Sequence, residues 1–145
     1  MERLTIVTLN VQGLNSPVKC KSILKCVHDH DIDIALLQET HLMGNNTPFL
    51  ARMGFWSAYH AGFHRGSQVV SIMIPNHLLY HVTKTWSDKL GRYIAISGEF
   101  QGQHLSVICL YAPPLSIDFL HMIHNIILDF PPGIQIIVGD FNGIL

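Results

Sequence analysis

The chain has 145 residues, a net charge of −1 with its histidines neutral, 48% hydrophobic residues and only 13% charged residues. This length allows one domain, and we expect residues 1–145 to form a single one. A charge near zero excludes the strongly basic field by which many proteins attract nucleic acid. No apolar run approaches the ~18 residues that a membrane-spanning helix needs, so we expect no membrane partner.

The three cysteines and ten histidines of the sequence argue against a zinc site. The cysteines form no Cys-x-x-Cys pair and their number is odd, which favours a reducing compartment over a disulfide framework. No His-Glu-x-x-His motif accompanies the histidines, so loop and surface positions are the better interpretation of most of them. Cys109 lies inside an apolar run and is predicted to be a core residue.

Hydrophobic periodicity predicts the elements of the first half of the chain. Residues 3–10 form a strand, and a helix follows over residues 16–29, with Ser16 as its N-cap and Pro17 at its first position. The next elements are a buried strand over 33–38 and a loop-rich region over 44–68 that allows a short strand at Phe55–Tyr59.

The second half predicts one more helix among several strands. A strand covers residues 69–74, and residues 92–100 and 104–111 form a hairpin. An amphipathic helix covers 116–129, and a last strand covers 134–140. The apolar side of that helix is predicted to consist of Phe119, Leu120, Ile123, Ile126, Ile127 and Phe130.

Four of the hydrophobic strands end in a polar residue. These residues are Asn10, Glu39, Tyr111 and Asp140, and Asp140 opens the segment Asp140-Phe141-Asn142 after an apolar run. In α/β sheets such strand ends commonly converge on one site. Carboxylates and amide oxygens are hard ligands that suit Mg²⁺ or Mn²⁺. The pattern therefore predicts a polar, metal-compatible site assembled from several strands.

Five motifs in this order resemble those of the endonuclease/exonuclease/phosphatase family, to which the AP endonucleases and exonuclease III belong. More narrowly, they are similar to the endonuclease domain at the N-terminus of LINE-type retrotransposon polyproteins. The order matches throughout residues 3 to 143. The motifs are Leu9-Asn10-Val11-Gln12-Gly13-Leu14-Asn15-Ser16-Pro17, Leu37-Gln38-Glu39-Thr40-His41-Leu42, Gly91-Arg92-Tyr93, Tyr111-Ala112-Pro113 and Gly139-Asp140-Phe141-Asn142.

The resemblance implies an α/β fold, a four-layer sandwich of the DNase I-like type with two facing sheets and helices outside. The chain would be the N-terminal half of that fold, or somewhat more, and hence a single but incomplete domain. On this view the opposing sheet would come mostly from a missing C-terminal half, and an inner sheet face would be exposed. Partners expected from the resemblance are DNA and either that missing half or a second copy of the chain.

The resemblance also assigns a metal centre. Glu39 would be the principal ligand of Mg²⁺ or Mn²⁺, with Asn10 beside it, and Asp140 would orient or activate the attacking water. Asn142 would hold a phosphate oxygen or a neighbouring side chain, and Tyr111 would donate a hydrogen bond to the phosphate.

Other motif residues receive lesser roles by the same resemblance. Gln38 and His41 would support their neighbours. Arg92 and Tyr93 match a family signature, but a structural role for their hairpin is the favoured interpretation.

The activity that the resemblance implies is metal-dependent hydrolysis of DNA phosphodiester bonds, in a nuclear or cytoplasmic setting. One departure weakens it, because the family has a Ser-Asp-His motif near its C-terminus, whereas the only Ser-Asp here is Ser87-Asp88, followed by Lys89. The alternative is therefore a non-catalytic, retrotransposon-derived remnant. A lipid or inositol phosphatase of the same fold is a weaker third possibility. Cys109 is a smaller departure, since the family commonly has Asn there.

Overall fold

The structure, a computed structural model, describes residues 3–14, 16–41, 56–62, 68–112 and 116–141. Among these residues the chain forms eight strands and two helices. In chain order they are β1 (Ile6–Asn10), α1 (Pro17–Asp29), β2 (Ile34–Gln38), β3 (Trp56–Gly62), β4 (Gln68–Pro75), β5 (Tyr80–Ser87), β6 (Tyr93–Phe100), β7 (Gln103–Tyr111), α2 (Ile117–Leu128) and β8 (Ile134–Asp140).

The strands form two four-stranded sheets that repeat one arrangement. The first sheet has the order β1-β2-β4-β3 and the second has the order β5-β6-β7-β8. Each sheet contains one parallel pair connected through a helix, β1–β2 through α1 and β7–β8 through α2, and its other pairings are antiparallel. The sheets face each other so that β1 lies against β8. The two parallel pairs, β1–β2 and β7–β8, therefore lie on the same side of the sandwich.

The core lies between the two sheets. Their inner faces are apolar and, in the middle strands, almost free of solvent, with Leu36, Ile72, Ile96 and Val107 each 0% exposed. Helix α1 packs on the outer face of the first sheet, and α2 packs on the outer face of the second. The result is the four-layer α/β sandwich that the sequence predicted.

The expected absence of an opposing sheet is wrong. Strands β5 to β8 of this same chain form that sheet, so the inner faces of the middle strands are covered. At the β1–β8 edge the inner faces stay partly open, because Ile6 and Ile136 are only partly buried and Thr8 is exposed. The exposed large apolar side chains are scattered over helices and turns, as with Val18 at 76% and Leu79 at 85%, and include Ile137 and Phe141 near the end of β8. Three strands of the second sheet were predicted from the sequence, but the resemblance assigned most of the opposing sheet to a missing half, and β5 was not recognised as a strand. Its burial alternates only partly and most of its residues are exposed, as is usual for a strand at the end of a sheet.

The first helix begins at the cap that the sequence predicted, and the second begins after a serine cap that was not predicted. The Ser16 hydroxyl accepts a hydrogen bond from the Lys19 amide at 3.4 Å, and Pro17 is the first helical residue. The Ser116 hydroxyl accepts one from the Phe119 amide at 3.1 Å. Leu120 does not lie on the apolar side as predicted, because it is 59% exposed. No helix in the described ranges is both long and apolar enough to cross a membrane.

Candidate active site

Asn10 and Asp140 meet across the two sheets. Strand residues alternate between faces, and each of these two continues the inner face of its strand, after Ile6 in β1 and after Val138 in β8. The Asn10 amide nitrogen donates a hydrogen bond to Asp140 Oδ2 at 3.2 Å. Residues 130 positions apart in the sequence are thus brought together at one end of the sandwich.

Glu39 reaches the same place through an unusual backbone conformation. Simple alternation after β2 would turn Glu39 to the outer face, where Ala35 and Leu37 pack beneath α1. Its φ of +53° lies in the left-handed region, which breaks the alternation. The Glu39 carboxylate accepts a hydrogen bond from the Asn10 amide nitrogen. A non-glycine residue held in this region is strained, a condition found often at functional sites.

Backbone hydrogen bonds connect the two loops that carry Asn10 and Glu39. The Gly13 amide donates to the Glu39 carbonyl at 2.6 Å, and the Leu14 amide donates to the Thr40 carbonyl at 2.8 Å. The Thr40 amide in turn donates to the carbonyl of Val69 in β4 at 3.2 Å. The position of Glu39 is therefore fixed by its neighbours' main chain as well as by its own side chain.

Gln38 and Cys109 lie directly beneath this group, between the sheets. Gln38 is 2% exposed, and its Nε2 donates to Thr8 Oγ1 at 2.9 Å and to Cys109 Sγ at 3.4 Å. Burial raises the pKa of the Cys109 thiol to about 12, although the hydrogen bond from Gln38 acts in the opposite direction. Cys109 is therefore a protonated core residue, as the sequence predicted.

The remaining predicted site residues have different positions. Tyr111 pairs in register with Asp140, and its side chain packs against the core between the sheets. His41 is exposed in the left-handed region with a φ of +50°, beside Gly13. Asn142 lies outside the described residues.

Arg92 serves the second sheet and α2 in this structure. Its Nε donates to Asp88 Oδ2 at 2.6 Å, and its guanidinium lies 5.4 Å from the centre of the Phe119 ring. Burial tends to raise the pKa of Asp88, but hydrogen bonds from Arg92 and two backbone amides outweigh burial and lower it. These contacts give Arg92 a structural role, the interpretation favoured from the sequence.

The donor set fits a hard divalent cation. No three His, Cys, Asp or Glu side chains in the described ranges gather into a metal-binding group. Magnesium, however, is commonly held by one or two carboxylates, with water and substrate phosphate completing its coordination. Glu39 and Asp140 supply two such carboxylates around one amide. The Asn10 oxygen accepts from the Gln12 amide at 3.2 Å, so Asn10 would need to turn its amide to offer that oxygen to a metal.

Two contributors were missed from the sequence. Thr8 binds Gln38 from the same face of β1 as Asn10, and its position two residues before Asn10 could have indicated this. Gly139 permits close approach of β8 to β7, since a Cβ there would lie 2.1 Å from the Leu110 carbonyl oxygen. A glycine inside a strand of branched residues is the available signal for such close approach.

Residues 7–144 match the sequence model of the endonuclease/exonuclease/phosphatase family. The chain belongs to this family. The match covers the region in which the five motifs occur in order, and it includes the residues that meet at the end of the sandwich.

Solved structures of the endonuclease/exonuclease/phosphatase fold superpose on the chain at low sequence identity. A D. rerio TDP2 complexed with single-strand DNA product has 18% identity and a TM-score of 0.75, over 96% of this chain and 60% of that chain. The endonuclease domain of TRAS1, a telomere-specific non-LTR retrotransposon, has 13% identity and a TM-score of 0.74, over 99% and 61%. The human Nocturnin catalytic domain with bound sulfate has 17% identity and a TM-score of 0.69, over 96% and 64%. The chain thus spans about three fifths of the length of these proteins.

Proposed function

We propose that this chain is a phosphodiesterase domain of the DNA-acting branch of its family, dependent on Mg²⁺ or Mn²⁺. One observation carries the proposal: Asn10 donates hydrogen bonds to Glu39 of the first sheet and to Asp140 of the second. Two carboxylates held beside one another repel, and a neutral amide donor between them offsets only part of that repulsion. Glu39 forms no ion pair with any Lys, Arg or His among residues for which the structure is described. A divalent cation would complete this arrangement.

Each candidate residue would have a separate role in hydrolysis of the phosphodiester bond. Glu39 would hold the metal, which when bound neutralises charge on the phosphate, and Asn10 would contribute its amide oxygen. Asp140, on the opposite sheet, would orient the attacking water and accept its proton. Tyr111, beside Asp140 in register, would donate to a phosphate oxygen, and Asn142 would hold another.

Two similar structures support DNA as the substrate. One is a TDP2 described with a single-strand DNA product, and the other is the endonuclease domain of a non-LTR retrotransposon. The chain adds a small basic feature near the proposed site, because Lys19 of α1 donates from Nζ to the Gln12 carbonyl at 3.1 Å. With a net charge of −1, binding would depend on such local contacts.

The alternative is a non-catalytic remnant of a retrotransposon that keeps the metal site. No Ser-Asp-His tripeptide occurs in these 145 residues, which span about three fifths of the length of the solved structures that they match. A general acid or base that is lost from a phosphodiesterase commonly lowers its rate by about 100-fold or more. Metal binding without hydrolysis would therefore identify the remnant.

Nicking of supercoiled plasmid by purified protein with Mg²⁺ tests the proposal. The variants are Glu39→Gln and Asp140→Asn, which preserve size and remove charge. Glu99→Gln is the matched control, because Glu99 is an exposed carboxylate in β6, on the far end of the hairpin with β7. We expect nicking by the wild type and the control, and at least about 100-fold slower nicking by the two site variants.

The outcomes separate the two hypotheses. Equal nicking by all four proteins would refute the proposed site. No nicking by folded wild-type protein, together with Mn²⁺ binding that Glu39→Gln abolishes, would establish the remnant. Absence of both nicking and Mn²⁺ binding would refute the metal centre itself.

A further inference from the structure

The two halves of the candidate site stand on different sheets. Asn10 and Glu39 follow strands of the first sheet, whereas Asp140 ends a strand of the second. Apolar side chains fill most of the space between these sheets. Apolar contacts fill this space but have no preferred direction. A directional contact between the sheets would set the separation of the two halves more closely.

Such a contact exists immediately below the site. Gln38 precedes Glu39, and its Nε2 donates to Sγ of Cys109, which lies on the facing sheet, at 3.4 Å. The same nitrogen donates to Thr8 Oγ1 at 2.9 Å and to the Leu36 carbonyl at 3.3 Å. A buried amide is retained only where hydrogen bonds compensate its lost hydration, so Gln38 is confined to this position.

Cys109 completes the connection from the second sheet. Its Sγ is 3.7 Å from the Leu37 carbonyl, the geometry of a weak S–H donor, while it accepts from Gln38. It is 0% exposed, and it lies two residues before Tyr111 on the same face of β7. In the parallel register Cys109 pairs with Val138, two residues before Asp140. Cys109 is thus the inward-facing residue before Tyr111 in β7, and it lies beside the inward-facing residue before Asp140 in β8.

We propose that Gln38 and Cys109 are positioning residues, whose contact across the sheets sets the separation of Glu39 from Asp140 and thereby the affinity for the metal. The metal consequence rests on the proposed function, but the geometric consequence does not.

A pair of cysteine variants tests the inference. Cys109→Ala removes the sulfur between the sheets. Cys20→Ala makes the same chemical change at a cysteine that is 1% exposed on the buried face of α1, away from the inter-sheet space. The first readout is the side-chain amide resonance of Asn10 in ¹⁵N-labelled protein, assigned with Asn10→Asp, together with its rate of hydrogen exchange. The second readout is Mn²⁺ affinity by titration calorimetry.

We expect Cys109→Ala to shift the Asn10 amide resonance, to speed its exchange and to weaken Mn²⁺ binding about 10-fold, the lower range for residues that orient metal ligands. Cys20→Ala should leave all three unchanged even if it lowers stability equally. Should Cys109→Ala fail to fold, Gln38→Leu replaces it and should shift the same resonance.

The Asn10 resonance decides the inference by itself. If the Asn10 amide resonance is unaffected by Cys109→Ala, or if Cys20→Ala changes it equally, the positioning role of Gln38 and Cys109 is refuted. A wild type that binds no Mn²⁺ would refute the proposed metal centre, and the resonance would still show whether the contact positions the site.

Discussion

Replacing Glu39 by glycine should give a more stable protein than replacing it by alanine. Both variants lose the carboxylate and its hydrogen bond from Asn10, so that loss cancels in the comparison. What differs is the backbone, since Glu39 has a φ of +53°. The left-handed conformation destabilises a residue with a Cβ by about 1–2 kcal/mol, whereas glycine adopts it at almost no cost.

The expected difference is smaller than that strain. Glycine loses more conformational entropy on folding than alanine, which costs about 0.5–1 kcal/mol. The net expectation is that Glu39→Gly unfolds with a free energy about 1 kcal/mol above that of Glu39→Ala, or with a Tm about 3 °C higher in a chain of this size. Both variants should lose Mn²⁺ binding, because neither has the carboxylate.

Urea denaturation of the two variants measures the difference. The matched pair is Thr85→Gly and Thr85→Ala, at an exposed position inside strand β5, where the backbone is extended. There the order should reverse, with alanine the more stable. If Glu39→Ala equals or exceeds Glu39→Gly while the Thr85 pair behaves as expected, the left-handed conformation stores no strain at Glu39 and our account of its orientation is wrong.

Three further predictions concern residues outside the group formed by Asn10, Glu39 and Asp140. Burial lowers the pKa of His60 from 6.5 to about 4. Below pH 6.5 the unfolded chain binds a proton at His60 before the folded protein does, so the free energy of unfolding is highest above pH 6.5 and falls by about 3 kcal/mol toward pH 4. Urea denaturation across this range should show a steeper loss of stability in the wild type than in His60→Gln, and equal slopes would contradict this prediction. Arg92→Lys should lower stability by about 1–2 kcal/mol, because lysine cannot reproduce the paired hydrogen bonds to Asp88; thermal unfolding checks this, and reduced Mn²⁺ binding at unchanged stability would make Arg92 a site residue instead. Gly139→Ala should cost at least about 2 kcal/mol and weaken Mn²⁺ binding, since its Cβ would meet the Leu110 carbonyl oxygen at 2.1 Å; normal stability and binding would show that β8 tolerates the side chain.

Most helices and strands were predictable because short local patterns, such as apolar runs and capping residues, indicate them. The run before Asp140, apolar except for Gln135, became β8, and Ser16-Pro17 marked the start of α1. Strand β5 escaped prediction because only Tyr80, Val82 and Trp86 alternate within a polar segment. Edge strands of this kind are specified by their partner, here β6, more than by their own residues.

The sequence predicted that three of the candidate residues lie close together, but not how they reach one another. The polar ends of apolar strands identified Asn10, Glu39 and Asp140, and the structure brings these three together. Periodicity could not show that Glu39 reaches the others through a left-handed backbone, since alternation predicts the opposite face. Nor could it reveal the contact between Gln38 and Cys109, which depends on how two sheets stack.

The 130-residue separation between Asn10 and Asp140 also bears on how the protein folds. The loops after β1 and β2 can connect as soon as the first sheet forms, because residues 10–40 already contain both of them. Asp140 joins only after β8 has added to β7, and contacts so distant in sequence are slow to form. A chain still being synthesised would therefore carry Asn10 and Glu39 without their partner. The proposed metal would therefore stabilise the finished molecule but come too late to guide the early steps of folding.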